Sequence, residues 1–135
     1  MEICLGVNVY IRWFQKELIK ENKFFSRGVI FIKLWIDDCR PAPNGYKWHK
    51  SVNTAKRFIM EMELMNKPFH SAPIEVIDID HDAGDFATDG GDYIELLKWL
   101  EATKRNYPIR IHSMNPVGVQ NMRAIIQHNG WKEIF

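Results

Sequence analysis

The stretch IEVIDIDHDAGD, residues 74–85, decides the fold. Its first half, Ile74 to Ile79, is a run of strand length, mostly apolar and rich in β-branched side chains, and it stops at Asp80, His81, Asp82 and Asp85. A strand with one wet face alternates between apolar and polar residues, whereas a nearly continuous apolar run marks a strand covered on both faces, as in parallel sheets. The acids stand where such a strand ends.

The flanking text repeats this form. VIFIKLWI, residues 29–36, is a second apolar strand that closes at Asp37 and Asp38. CRPAPNG follows as a loop, because Pro41, Pro43 and Gly45 exclude regular structure, and YKWH reads as a short strand. From Ser51, a candidate cap along with Asn53, the residues Val52, Ala55, Phe58, Ile59, Met62 and Met65 recur at helical spacing and predict a helix ending near Asn66. Tyr93, Ile94, Leu97 and Leu100 predict a second helix, with Asp89 or Asp92 as its cap. IRIHS, residues 109–113, predicts another strand. Asn115-Pro116 then starts a helix buried through Val119, Met122, Ile125 and Ile126 and stopped by Gly130, and WKEIF predicts a last edge strand. Strands alternating with helices define an α/β fold, whose ligands bind beyond the carboxyl ends of the strands. Asp37 with Asp38, Asp80 to Asp82, and His112 with Ser113 all fall at that edge.

A chain of 135 residues fits one compact domain, and 46% hydrophobic with 26% charged residues excludes a disordered tail. The formal charge of +1 gives no global pull toward nucleic acid or an acidic membrane, so anion affinity must come from a local site, and no DNA partner is expected. Cys4 and Cys39 are too few for a disulfide framework and wrongly spaced for a zinc knuckle, which suggests a reducing cytoplasm. No stretch approaches the ~20 apolar residues of a membrane span. The opening MEICLGVNVYIRWF lacks the basic start and cleavage site of a signal peptide. Residues 1–27 read as a mildly basic extension in which Tyr10 to Asn22 can be helical, with packing on the sheet, tethering of a partner and partial disorder as the open alternatives.

Carboxylates that converge within a few ångströms repel one another and need a cation or shared protons. Mg²⁺ or Mn²⁺ on Asp37, Asp38, Asp80 and Asp82 is the simplest expectation, since hard cations take carboxylate oxygens and meet phosphate in their remaining positions. An Asp-Asp pair alone would only begin a loop; its coincidence with a second acid cluster at a strand end favours the metal. Asp78, inside the strand, is costly unless paired or ligating. His81 and His112 are candidate proton carriers around a phosphoester, although a lone histidine is more often structural. Ser113 and Arg40 are candidates for holding phosphoryl oxygens. Asn115 caps a helix whose first N–H groups can receive an anion. Trp48 closes the Pro-rich loop and is placed to stack on a base, whereas His49, His70 and His128 read as packing or surface residues.

LWIDDCRPAPNGYKWHKSVNTA, IDIDHDAGD and IHSMNPVGVQNM together resemble the cyclic-phosphate processing receiver domains, a divergent branch of the two-component receiver fold. The resemblance runs from about Lys33 to Gly130. It implies a flavodoxin-like three-layer sandwich over residues 28–135, with a parallel sheet of order 2-1-3-4-5 and the first crossover helix reduced to the RPAPNG loop. It further implies that Asp37 and Asp38 match the receiver's metal-binding acids, Asp80 its phosphoacceptor and Ser113 its phosphate-sensing hydroxyl. The receiver's lysine after the last strand has no match, since Lys132 stands before or within that strand, and this argues against phosphorelay signalling. The function implied is a metal-dependent phosphoesterase acting on cyclic phosphates such as nucleotide or RNA 2′,3′-cyclic ends. A non-catalytic receiver-like module that binds a phosphate-containing ligand or a protein partner is the alternative. Two-histidine phosphodiesterases and haloacid-dehalogenase-like phosphatases fail on motif spacing.

Overall fold

The computed structural model describes residues 31–66 and 71–135. The expectations placed on residues 1–27, on Cys4 and on His70 lie outside the described residues. The elements are β1 (Ile32–Ile36), β2 (Tyr46–His49), α1 (Val52–Met65), β3 (Ile74–Ile79), a 3₁₀ turn (Gly84–Thr88), α2 (Ile94–Ala102), β4 (Ile109–Ile111) and α3 (Pro116–Asn129). All strands pair in parallel in the order β2-β1-β3-β4. The expected fifth strand is reduced to one parallel bridge between Glu133 and Ile109 at the β4 edge. There the Ile109 N–H donates to the Lys132 carbonyl at 2.9 Å and the Ile134 N–H to the Ile109 carbonyl at 2.8 Å. Residues 37–45 join β1 to β2 without a helix.

Strand alternation sorts the sheet into two faces. Ile32, Leu34 and Ile36 of β1, Ile77 and Ile79 of β3, and Ile109 of β4 join the apolar residues of all three helices in one core. Full burial of one such side chain contributes about 1.5–3 kcal/mol. Lys33, Trp35, Val76, Asp78 and Arg110 alternate onto the other face. The described residues therefore make two layers, and the third layer of the expected sandwich is not among them.

The helix ends follow the local chemistry. Ser51 caps α1 by accepting from the Thr54 N–H, and Asn115 caps α3 by accepting from the Gly118 N–H at 3.0 Å. Gly130 ends α3 in the left-handed region that favours glycine. Asp89 caps no following helix. Its carboxylate instead reaches back to α1, accepting from Ser51 Oγ at 2.6 Å and Asn53 Nδ2 at 3.1 Å. Asp92 accepts from the Ala83 N–H. Strand β4 stops two residues earlier than IRIHS suggests, although the His112 N–H still donates to the Ile79 carbonyl at 3.0 Å.

His49, at the end of β2, packs on Phe58 with ring centroids 4.9 Å apart. Burial, aided by Lys47, pushes its imidazole down to about 4. The folded state thus holds His49 neutral while the unfolded chain takes up a proton below about 6.5, so this contribution is complete above that pH and is lost as pH falls toward 4. We expect His49→Gln to flatten the acid-side loss of stability by up to about 3 kcal/mol between pH 6.5 and 4, measured by urea unfolding at stepped pH.

Candidate metal centre

The pairing of β1 with β3 builds the site. Trp35 faces Asp78 and Ile36 faces Ile79 in register, and the Asp80 N–H donates to the Ile36 carbonyl at 2.9 Å. The next residues, Asp37 and Asp80, therefore leave the two strand ends side by side. With Asp38 they form a cluster in which one carboxylate oxygen of each lies within 4.8 Å of the others. Asp82 falls outside it. A donor set made only of carboxylate oxygens from two strand ends suits a hard divalent cation and offers nothing to a soft one.

The acids do not share one environment. Asp37 is 1% exposed, and burial alone would raise its pKa. The N–H groups of Cys39 and Arg40, both 2.9 Å from Oδ1, and His112 outweigh burial and hold the carboxyl below the ordinary range. Asp38 lacks comparable donors, and burial together with the charges of Asp37 and Asp80 pushes its pKa up. Buried Tyr93 is raised by burial and then by Asp38, Asp37 and Asp80, a second sign of concentrated negative charge. Arg40 lies 3.4 Å from Asp37 and 3.6 Å from Asp80 with its side chain 46% exposed, so it screens the acids weakly and stays reachable from solvent.

The two histidines differ in kind. Nδ1 of His112 is 2.6 Å from Asp78 and Nε2 is 2.9 Å from Asp37, so the ring bridges two buried carboxylates with both nitrogens engaged. Trp35 stacks on it at 3.8 Å and 4°. Asp78 also accepts from Arg110 at 3.3 Å, which answers the cost of an aspartate inside a strand. His81 instead directs Nδ1 at Asp82, 2.9 Å away, which assigns the proton to Nδ1 and leaves Nε2 without a hydrogen-bond partner among the described residues. The Asn115 amide stands 3.5 Å from the same Nδ1.

Two glycines leave room for side chains of the site, Gly118 within the Asn-Pro-x-Gly pattern and Gly84 unmarked by the sequence reading. A Cβ on Gly118 would collide with the His81 ring, and one on Gly84 with the Asp38 carboxylate. Gly84 also has φ +54°, disfavoured for other residues. Ser113 Oγ accepts from the Asn115 N–H at 3.2 Å, making it a turn residue near the site with its hydroxyl hydrogen still to donate. Trp48 donates from Nε1 to the Asp37 carbonyl at 2.7 Å, which fastens the indole to the cluster.

A parallel α/β sheet with acids gathered at the carboxyl ends of its central strands defines a receiver-like domain. The chain belongs to the cyclic-phosphate processing receiver domain family, whose model it matches over residues 32–128. No curated protein and no solved structure gives a significant match.

Because the folded pKa of Asp38 is raised, the contribution of this one group to the stability of the cation-free protein is lost as pH rises from 3.8 through that higher value. We expect Mg²⁺ or Mn²⁺ to raise Tm by about 3 °C or more at neutral pH, with the gain fading on acidification and shrinking in Asp38→Asn, as read by thermal scans with and without EDTA. His112→Ala leaves Asp37 and Asp78 buried without their shared partner. It should cost about 3 kcal/mol in urea unfolding, whereas alanine at exposed His128 should cost less than about 0.5 kcal/mol.

Proposed function

We propose that this domain is a metal-dependent phosphoesterase that hydrolyses cyclic phosphates, such as 2′,3′-cyclic ends of nucleotides or RNA. The observation that carries the reading is the convergence of Asp37, Asp38 and Asp80, the last followed directly by His81, whose Nε2 has no hydrogen-bond partner among the described residues. The three acids would hold Mg²⁺ or Mn²⁺, which when bound offsets phosphoryl charge and acidifies a water. His81 accepts the proton of the attacking water at Nε2 and returns it to the sugar oxygen released when the ring P–O bond breaks, while Asp82 holds the Nδ1–H tautomer. His112 positions Asp37 and does not carry protons. Arg40 and the Ser113 hydroxyl reach phosphoryl oxygens, and Asn115 orders the N-terminus of α3 beside them. The same reading takes residues 28–135 as the domain and 1–27 as an extension. It places the protein in the cytoplasm, in keeping with Cys39 as an exposed free thiol.

Incubation with the four nucleoside 2′,3′-cyclic monophosphates and a short RNA bearing the same end tests the proposal. Turnover should require Mg²⁺ or Mn²⁺, stop with EDTA, and fall at least about 100-fold in Asp80→Asn and His81→Ala. No turnover of any of these substrates with either metal would overturn it. Nucleotide bound but recovered unchanged would instead establish a non-catalytic module.

A further inference from the structure

A cleft of about 410 Å³ opens beside the acid cluster, lined by Trp48, Lys50, Phe86 and Asp89 among others. Two of its lining residues are tied to the cluster. Trp48 is bonded to the Asp37 carbonyl, and Phe86 lies on the 3₁₀ turn whose first residue, Gly84, abuts the Asp38 carboxylate. Trp48 and Phe86 are each 37% exposed, unusual for two large aromatics on strongly polar ground. The Lys50 ammonium sits 4.6 Å from the Trp48 ring centroid and 5.8 Å from that of Phe86, and it makes no ion pair among the described residues. Its backbone is fixed, because the Tyr93 hydroxyl donates to the Lys50 carbonyl at 2.7 Å.

We propose that Trp48, Phe86 and Lys50 form a nucleobase subsite, so that the substrate is a nucleoside cyclic phosphate and not a cyclic phosphate at large. Aromatic faces are the common means of holding a base beside a phosphate site, and the volume is that of a small-ligand pocket. An exposed cation–π contact is weak, so an entering base displaces the Lys50 ammonium, which remains close enough to pair with the phosphate next to that base. Every base presents a π-face, so stacking here predicts binding of all four bases with little discrimination.

This inference deepens the phosphoesterase reading, and its test separates the two. In protein labelled with 5-fluorotryptophan, the Trp48 resonance is assigned from Trp48→Phe and followed by ¹⁹F NMR. Adenosine 3′-monophosphate should shift it at concentrations where ribose 5-phosphate does not. Phe86→Ala should weaken nucleotide binding about tenfold and change ribose phosphate binding less than twofold. A Trp48 resonance that ignores nucleotide, or a Phe86→Ala loss equal for both ligands, would overturn the subsite. Equal kcat/KM for glycerol 1,2-cyclic phosphate and nucleoside cyclic phosphates would overturn it while leaving the esterase standing. A Trp48 shift without turnover would uphold the subsite and remove the esterase.

Discussion

The register between β1 and β3 is the constraint on which the site depends, because it sets Asp37 and Asp80 at the ends of neighbouring parallel strands. Two like charges about 4 Å apart repel by about 4 kcal/mol at an effective dielectric of 20, and a third raises the cost further. The fold offsets this with local nitrogen donors. Asp37 receives two backbone N–H groups and an imidazole, Asp80 accepts from the His81 N–H at 2.8 Å, and Arg40 lies across both. Asp38, left with the least compensation, carries the raised pKa. The site's unspent electrostatic demand is therefore concentrated on one half-buried carboxylate, which is where a divalent cation gains most.

The Asp78–His112–Asp37 bridge is a structural unit in its own right. It links β3, the residue after β4 and the end of β1, and the Trp35 ring seals one face of the imidazole. Exclusion of water from that face lowers the local dielectric and strengthens both contacts, while removal of the imidazole would strand two buried charges. A histidine bound so completely is a poor shuttle, since each nitrogen would have to abandon a carboxylate to meet substrate. His81 has no such obligation at Nε2 among the described residues, and the proposed division of labour rests on that difference.

Element types were legible because each segment keeps one period. Ser51, Asn115, Pro116 and Gly130 mark helix ends by local chemistry that needs no tertiary context. The acid cluster was legible too, since strand ends in a parallel sheet converge whatever their exact spacing. The role of His112 was not: its partners lie 34 and 75 positions away, and no pattern within a window connects them. Asp89 was hidden similarly, spending its carboxylate on α1 from 38 positions downstream. WKEIF has strand composition but makes only one bridge, because pairing depends on the short β4 beside it. Asp78 broke an otherwise apolar run, and the break signalled a buried partner without naming it.

The spacing of Asn115-Pro116-Val117-Gly118 has a mechanical explanation. Asn115 at the cap accepts from the N–H of the third helical residue, which makes that residue face the cap, and Pro116 supplies a backbone already set for the first position. The third residue is Gly118, and its missing Cβ is the space that the His81 ring fills. Alanine there would improve helix propensity by about 1 kcal/mol yet drive the imidazole away from Asp82. Glycine at this point weakens the helix where the neighbouring loop needs room, and the motif is best understood as a socket that holds the His81 ring while its Nδ1 meets Asp82.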